Sequence, residues 1–241
     1  MSPSVKHLAL DGSLVEISSP AHSDLDFPAS SIAVFSVDGV GREFTASHVG
    51  FGADVAEYYG MTLDESYSMQ GGTLRLGATT QVWPELNDAG DHITRLLRLG
   101  VWEGVRYSVH AALVGGTSND LVRLFSHFTI VETPRGITLE PVSSSVTRHV
   151  HEPSLLKEVE GIGLLDIVAL TTSESQRLPR WRGTQVTGGE LFTDQPETGA
   201  RYYVLVSRTS RTLVLPGGDC DHSAVLAGLA HLRVDWQRQP A

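Results

Sequence analysis

The sequence has one cysteine, Cys220, so no intrachain disulfide can form. That excludes a secreted disulfide framework and a Cys-rich structural zinc site. Lysine is nearly as scarce: Lys6 and Lys157 stand among 18 basic residues, the rest being arginine. With abundant Ala, Gly and Val, this bias is that of a GC-rich genome such as an actinobacterium's. Charged residues make up only 19% of the chain, which excludes long charged disordered tails. Nowhere does an apolar run approach the roughly eighteen residues of a spanning helix. The opening stretch MSPSVKHLALDGSLVEISSP has no apolar run of signal-peptide length. A soluble, cytoplasmic protein is the expectation.

The formal net charge is -10, with a pI near 5.4. A nucleic-acid backbone or an anionic membrane surface needs a basic face, so neither is expected as a partner. What is present is an ordinary globular composition, 41% apolar over 241 residues, enough for a sizeable core. The reading is a single α+β domain over 1–241, with the polar, irregular stretch 173–183 as the place for a subdivision.

Turn residues punctuate the chain. Asp11-Gly12 between apolar flanks predicts a hairpin across Leu8–Ile17, and Asp38-Gly39 closes a buried strand over Ser31–Val37. Phe44–Met61 is ambiguous, with Val49, Val55, Ala56 and Tyr59 suiting a helical face that Gly60 stops. Leu74–Val82 and Val105–Val114 alternate as strands. Asp91–Leu99 reads as the clearest helix, striped by Ile93, Leu96 and Leu97 and stopped by Gly100. Leu121–Val131 and Ile137–Val142 predict a hairpin about Thr133-Pro134-Arg135-Gly136. Pro153–Glu160 reads as a short helix with proline at its first position, followed by the apolar Leu164–Leu170. Thr184–Thr193, Arg201–Ser207 and Thr212–Leu215 read as strands, and Asp219 or Asp221 caps a last helix over Ser223–Leu232. Such an order implies a mostly antiparallel sheet with a few helices on one face. The recurrence of strand, hairpin and helix allows a degenerate internal duplication.

Candidate chemistry is thin. His149 and His151, two apart on an extended segment, point to one side and would share a metal if a third ligand joined them, yet no His-Glu-x-x-His helix supplies one. Cys220 lies in Asp219-Cys220-Asp221-His222 at the head of the last helix, where a thiol gains acidity; the flanking carboxylates oppose that and explain themselves as caps. Ser154-Leu155-Leu156-Lys157 matches Ser-x-x-Lys without its partner motifs. The Gly-Gly pairs complete neither a phosphate loop nor a dinucleotide fingerprint. Asp38, Asp54, Asp64 and Glu65 offer carboxylates with nothing to fix their geometry. No bound cofactor is expected. Trp181, between Arg180 and Arg182 in a polar stretch, has the composition of a protein-binding hot spot.

The run GTQVTGGELFTDQPETGARYYVLVSRTSRTLVLPGGDCDHSAVLAGLAHL resembles the end of the EspG-type chaperones of actinobacterial type VII (ESX) secretion. The matching pieces are Glu190–Asp194, Gly199–Ser207, Thr212–Leu215 and Ser223–Leu232, in the order strand, strand, strand, helix. Upstream, the expected helix at Asp91, strand at Val105 and hairpin over Leu121–Val142 follow the same order, while the first hundred residues depart from it. The resemblance implies a non-catalytic protein that holds the helical tip of a secreted heterodimeric substrate in the cytoplasm. It carries no functional residue onto this sequence. Two other classes stay open: a small enzyme with an atypical, metal-assisted site at His149 and His151, and a structural or assembly component of a phage or injection-type particle.

Overall fold

A computed structural model describes residues 3–20, 25, 27–86, 92–147, 152–195, 199, 201–218 and 220–238. The protein is α+β, mostly antiparallel sheet with four helices among the described residues. No helix among them is long and apolar enough to cross a membrane. The chain forms two compact units, one of residues 1–32 and 152–241, the other of residues 33–151. The stretch 173–183 lies inside the first of these.

In chain order, β1 (Ser4–Leu8) and β2 (Leu14–Ser18) make the expected hairpin, with Asp11 accepting from the Ser13 amide at 2.9 Å and Gly12 at φ 84°. β3 (Ala29–Val37) begins in the first unit and ends in the second. Asp38 and Gly39 both have positive φ, 51° and 78°, the turn geometry that fits the twist into β4 (Val40–His48). The ambiguous stretch divides: Phe44–His48 is strand, and α1 (Phe51–Tyr58) is the helix. β5 (Leu63–Met69) turns at Gln70-Gly71, again with both φ positive, into β6 (Gly72–Leu86). There follow β7 (His92–Glu103), β8 (Tyr107–Val114), α2 (Ser118–Ser126), β9 (Phe128–Thr133), β10 (Gly136–Pro141) and β11 (Val146–Thr147). Back in the first unit run β12 (Ser154–Val159), β13 (Gly163–Ala169), α3 (Thr172–Ser175), β14 (Thr184–Val186), β15 (Gly189–Asp194), β16 (Tyr202–Val206), β17 (Ser210–Leu215), α4 (His222–Leu229) and β18 (Arg233–Gln237).

Several expectations are corrected. The segment read as a helix at Asp91–Leu99 is β7; residue 91 lies outside the described residues, and His92–Glu103 pairs with β6 on one side and β8 on the other. Leu97, Leu99 and Val101 alternate onto α1, so two-residue periodicity prevails over helical propensity. Gly100 is no helix stop. A Cβ there would lie 2.9 Å from the Phe125 ring, so the glycine lets α2 approach the strand. The segment Pro153–Glu160 is extended as β12, burying Leu155, Lys157 and Val159 at every second position. Leu121–Ser126 belongs to α2, whose cap Thr117 exchanges hydrogen bonds with Asp120 in a capping box, with Leu121, Leu124 and Phe125 as the buried stripe. The last helix stops at Leu229, and β18 then pairs with β2.

In the second unit the sheet order is β3-β4-β8-β7-β6-β5, with β9 and β10 as a separate hairpin. Phe35, Phe44, Phe125 and Phe128 pack edge to face, with centroids 4.8–5.7 Å apart, and form the aromatic core under α2. The helices of this unit are not confined to one face. Gly100 faces α2, whereas its neighbours Leu99 and Val101 face α1.

In the first unit the order is β12-β13-β17-β16-β15-β14, with the start of β3 beside β12. One face of this sheet (Leu155, Leu165, Ile167, Leu191, Tyr203, Leu205, Val214) packs on Val225 and Leu229 of α4 and on the sheet β1-β2-β18 through Val15, Ile17, Val234 and Trp236. The opposite face of the same strands carries the site described next.

Candidate protein-binding surface

Because side chains alternate along a strand, the register places Val204, Leu213 and Asp166 in one row across β16, β17 and β13. The row beside it pairs Leu215 with Leu164, and on the other side Val206, Arg211 and Val168 align. This outer face is mainly apolar. Over it runs the connection from α3 to β14, which contributes Pro179 and Trp181. Together with Tyr202, Val204, Arg211, Leu213, Leu215, Asp194 and Arg177 they line a depression of about 420 Å³. Trp181 is 52% exposed, Leu215 44% and Leu164 38%. Three large apolar groups thus meet water on one face.

The connection is held down at its end. Glu190 accepts from the Gly183 amide at 2.8 Å, and a Cβ at position 183 would lie 2.7 Å from the Leu191 carbonyl oxygen, so only glycine fits over β15. At its start, the Glu174 carboxylate is buried and accepts from Arg211 Nε at 2.7 Å and from Arg177 at 3.0 Å. Asp166 lies nearby in the apolar row. Burial pushes its carboxyl pKa up, Arg211 opposes that, and Glu174 adds to it. Its Oδ1 is buried and has no hydrogen-bond partner among the described residues. Sequence reasoning passed over this Asp166–Glu174–Arg211 group. The signal was an aspartate inside the otherwise apolar Leu164–Ala169.

Of the residues singled out from the sequence, Arg180, Trp181 and Arg182 are all exposed, and Trp181 lines the depression. His149 and His151 lie outside the described residues. Among the described residues no group of three His, Cys, Asp or Glu side chains is placed to hold a metal ion. Cys220 Sγ lies 3.9 Å from His222 Nδ1, but that nitrogen also meets the hydroxyl of the fully buried Tyr203 at 3.0 Å. Asp221 caps α4 by accepting from the Ser223 amide at 2.9 Å, and Asp219 lies outside the described residues. Ser154 and Lys157, three apart on β12, point to opposite faces, and Lys157 is fully buried with its Nζ donating to the Phe27 carbonyl, so they make no dyad. Asp38 pairs with Arg123 at 3.2 Å, and Glu65 accepts from Ser118 and Tyr67, hydrogen bonds that lower its pKa.

No protein-family model, curated protein or solved structure matches this chain.

Proposed function

We propose that the protein is a non-catalytic, cytoplasmic protein-binding module of secretion-chaperone or adaptor type, whose contact face is the outer face of the β13-β17-β16 sheet with Trp181 at its edge. The observation that carries this reading is the exposure of Trp181 and Leu215 at one depression, with the exposed Leu164 paired beside Leu215. Large aromatic and apolar groups beside arginines are what protein interfaces concentrate at their centres. Burying the exposed parts of such groups against a partner is favourable by about 25 cal/mol per Å² of apolar surface.

The resemblance to EspG-type chaperones is supported by the C-terminal order β15, β16, β17, α4, which falls on the segments that carry it. It loses the support of a helix at Asp91, since that segment is strand. A degenerate duplication is supported by the two units' common plan. Each threads its strands in the order 1-2-6-5-4-3, with one helix after the second strand and another after the sixth.

Affinity capture from a lysate of the native host, run in parallel with wild-type protein and a Trp181→Ala, Leu215→Ser variant, tests the reading. Small helical secreted proteins retained by the wild type and lost from the variant are the expected result. Equal retention by both proteins would remove the face from consideration.

A further inference from the structure

The two units share a strand order, so each can serve as a template for the other. β7 and β8 of the second unit correspond to β16 and β17 of the first, and α1 occupies the same place in the chain as α3. In the second unit, α1 covers the sheet. Its eight residues, with the turn that follows, set Ala56 and Met61 on Leu97, Leu99 and Val101, and Gly52 is so close to Val101 that a Cβ there would collide with it. In the first unit, α3 has four residues, and the one it buries is the charged Glu174, tied to Arg211. It brings no apolar side chain to the sheet. The equivalent strands keep an apolar face in Tyr202, Val204, Leu213 and Leu215, and the depression opens there.

Charge narrows what fits. In a chain of net charge -10, Arg180 and Arg182, on either side of Trp181 in sequence, are exposed and have no hydrogen-bond or ion-pair partner among the described residues, while Arg177 and Arg211 in the lining are paired with Glu174. Glu174 offsets Arg177 and Arg211, whereas Asp194, which accepts from the Tyr202 hydroxyl at 2.7 Å, and Glu190, which accepts from Gly183, keep their negative charge, so the unpaired cations stand on the Arg180 and Arg182 side.

We infer that this face takes an amphipathic helix from a partner protein, with an apolar stripe flanked by carboxylates, in the place that α1 fills in the other unit. The inference rests on the protein-binding reading above and adds the partner's form and charge. The apolar stripe covers Leu213 and Leu215 and packs against Trp181, while acidic groups on one flank reach Arg180 and Arg182.

The test is a displayed library of unconstrained peptides about 18 residues long, some five helical turns, selected on wild-type protein and depleted on the Trp181→Ala, Leu215→Ser variant. Retained folding of that variant is checked by an unchanged urea midpoint. The expected winners carry apolar residues at helical spacing with Glu or Asp beside them, and become helical by circular dichroism on binding. Arg180→Gln with Arg182→Gln weakens them about three- to tenfold at low salt, the range for two solvent-exposed ion pairs, and added salt removes the difference. Winners that are basic, neutral or extended overturn the inference but leave protein binding at this face intact. A selection in which no peptide distinguishes wild type from the variant overturns both.

Discussion

Lowering the pH from about 7 to about 5 should destabilise the protein through two histidines. His7 on β1 is mostly buried; burial first, then the nearby Lys157 ammonium, lowers its pKa from 6.5 to about 4. His110 on β8, its ring 5.7 Å from that of Phe51, is lowered from 6.5 to about 4 by burial alone. Both pKa values are depressed in the folded state, so between pH 6.5 and about 4 the unfolded chain binds protons that the folded chain refuses. Stability therefore falls as pH drops through that window and levels off below it. At about pH 5 each histidine costs about 2 kcal/mol, an upper limit because each ring keeps some contact with water. Two such losses are a large part of the roughly 5–15 kcal/mol that holds a typical domain together. The carboxylates with lowered pKa, such as Asp235 and Asp221, act only at lower pH, and Asp166, raised by burial, has the opposite sign. Urea denaturation at the two pH values, for wild type and for His7→Gln and His110→Gln, measures each share. Each substitution should remove about half of the pH dependence. An imidazole NMR titration placing His110 near 6.5, or an unchanged pH slope in both variants, would refute the reasoning.

Glu174→Ala should cost about 2–3 kcal/mol in urea unfolding by leaving the largely buried Arg211 without its carboxylate; a loss below about 0.5 kcal/mol would show that water replaces it there. Thr117→Ala breaks the capping box of α2 and should lower stability by about 1 kcal/mol, with no effect on peptide binding at the Trp181 face. Gly189→Ala should be far more damaging, about 3 kcal/mol or more, because residue 189 has φ 141° and an added Cβ collides with the Val206 carbonyl; recovery of wild-type unfolding would contradict that geometry. Trp181→Ala should leave the unfolding midpoint within experimental scatter, since the ring is half exposed, while reducing partner capture.

Turns were the part of this fold most legible in the sequence. Asp11-Gly12, Asp38-Gly39 and the Thr133–Gly136 turn are decided by residues two to four apart, and the chain reverses at each. The segment around β7 was not legible, because Ile93, Leu96 and Leu97 satisfy a helical stripe as well as Leu97, Leu99 and Val101 satisfy a strand. Pairing with both β6 and β8 decides between them, and those partners lie elsewhere in the chain. β12 is ambiguous for the same reason, with Pro153 at its threshold adding a false helix signal. Thr117 and Asp120 spell out the cap of α2, but the mainly apolar run Leu121–Val131 hides the change from helix to strand at His127. At the candidate site, the exposure of Trp181 was legible from its arginine neighbours. The open sheet face beneath it was not. That face exists only once β13, β17 and β16 are aligned, and nothing in the local sequence brings Leu164, Leu215 and Trp181 together.

The scarcity of lysine, combined with the burial of Lys157 beneath the Phe27 carbonyl, has a practical consequence. Lys6, paired with Glu16 at 3.3 Å but open to water, is the one lysine side chain that an amine-reactive dye can reach. Conjugation at mildly alkaline pH would therefore place a single fluorophore on β1, apart from any at the chain's α-amino group. The arginines around Trp181 would be untouched by it. Native protein can thus be labelled for binding measurements at this surface without engineering a cysteine.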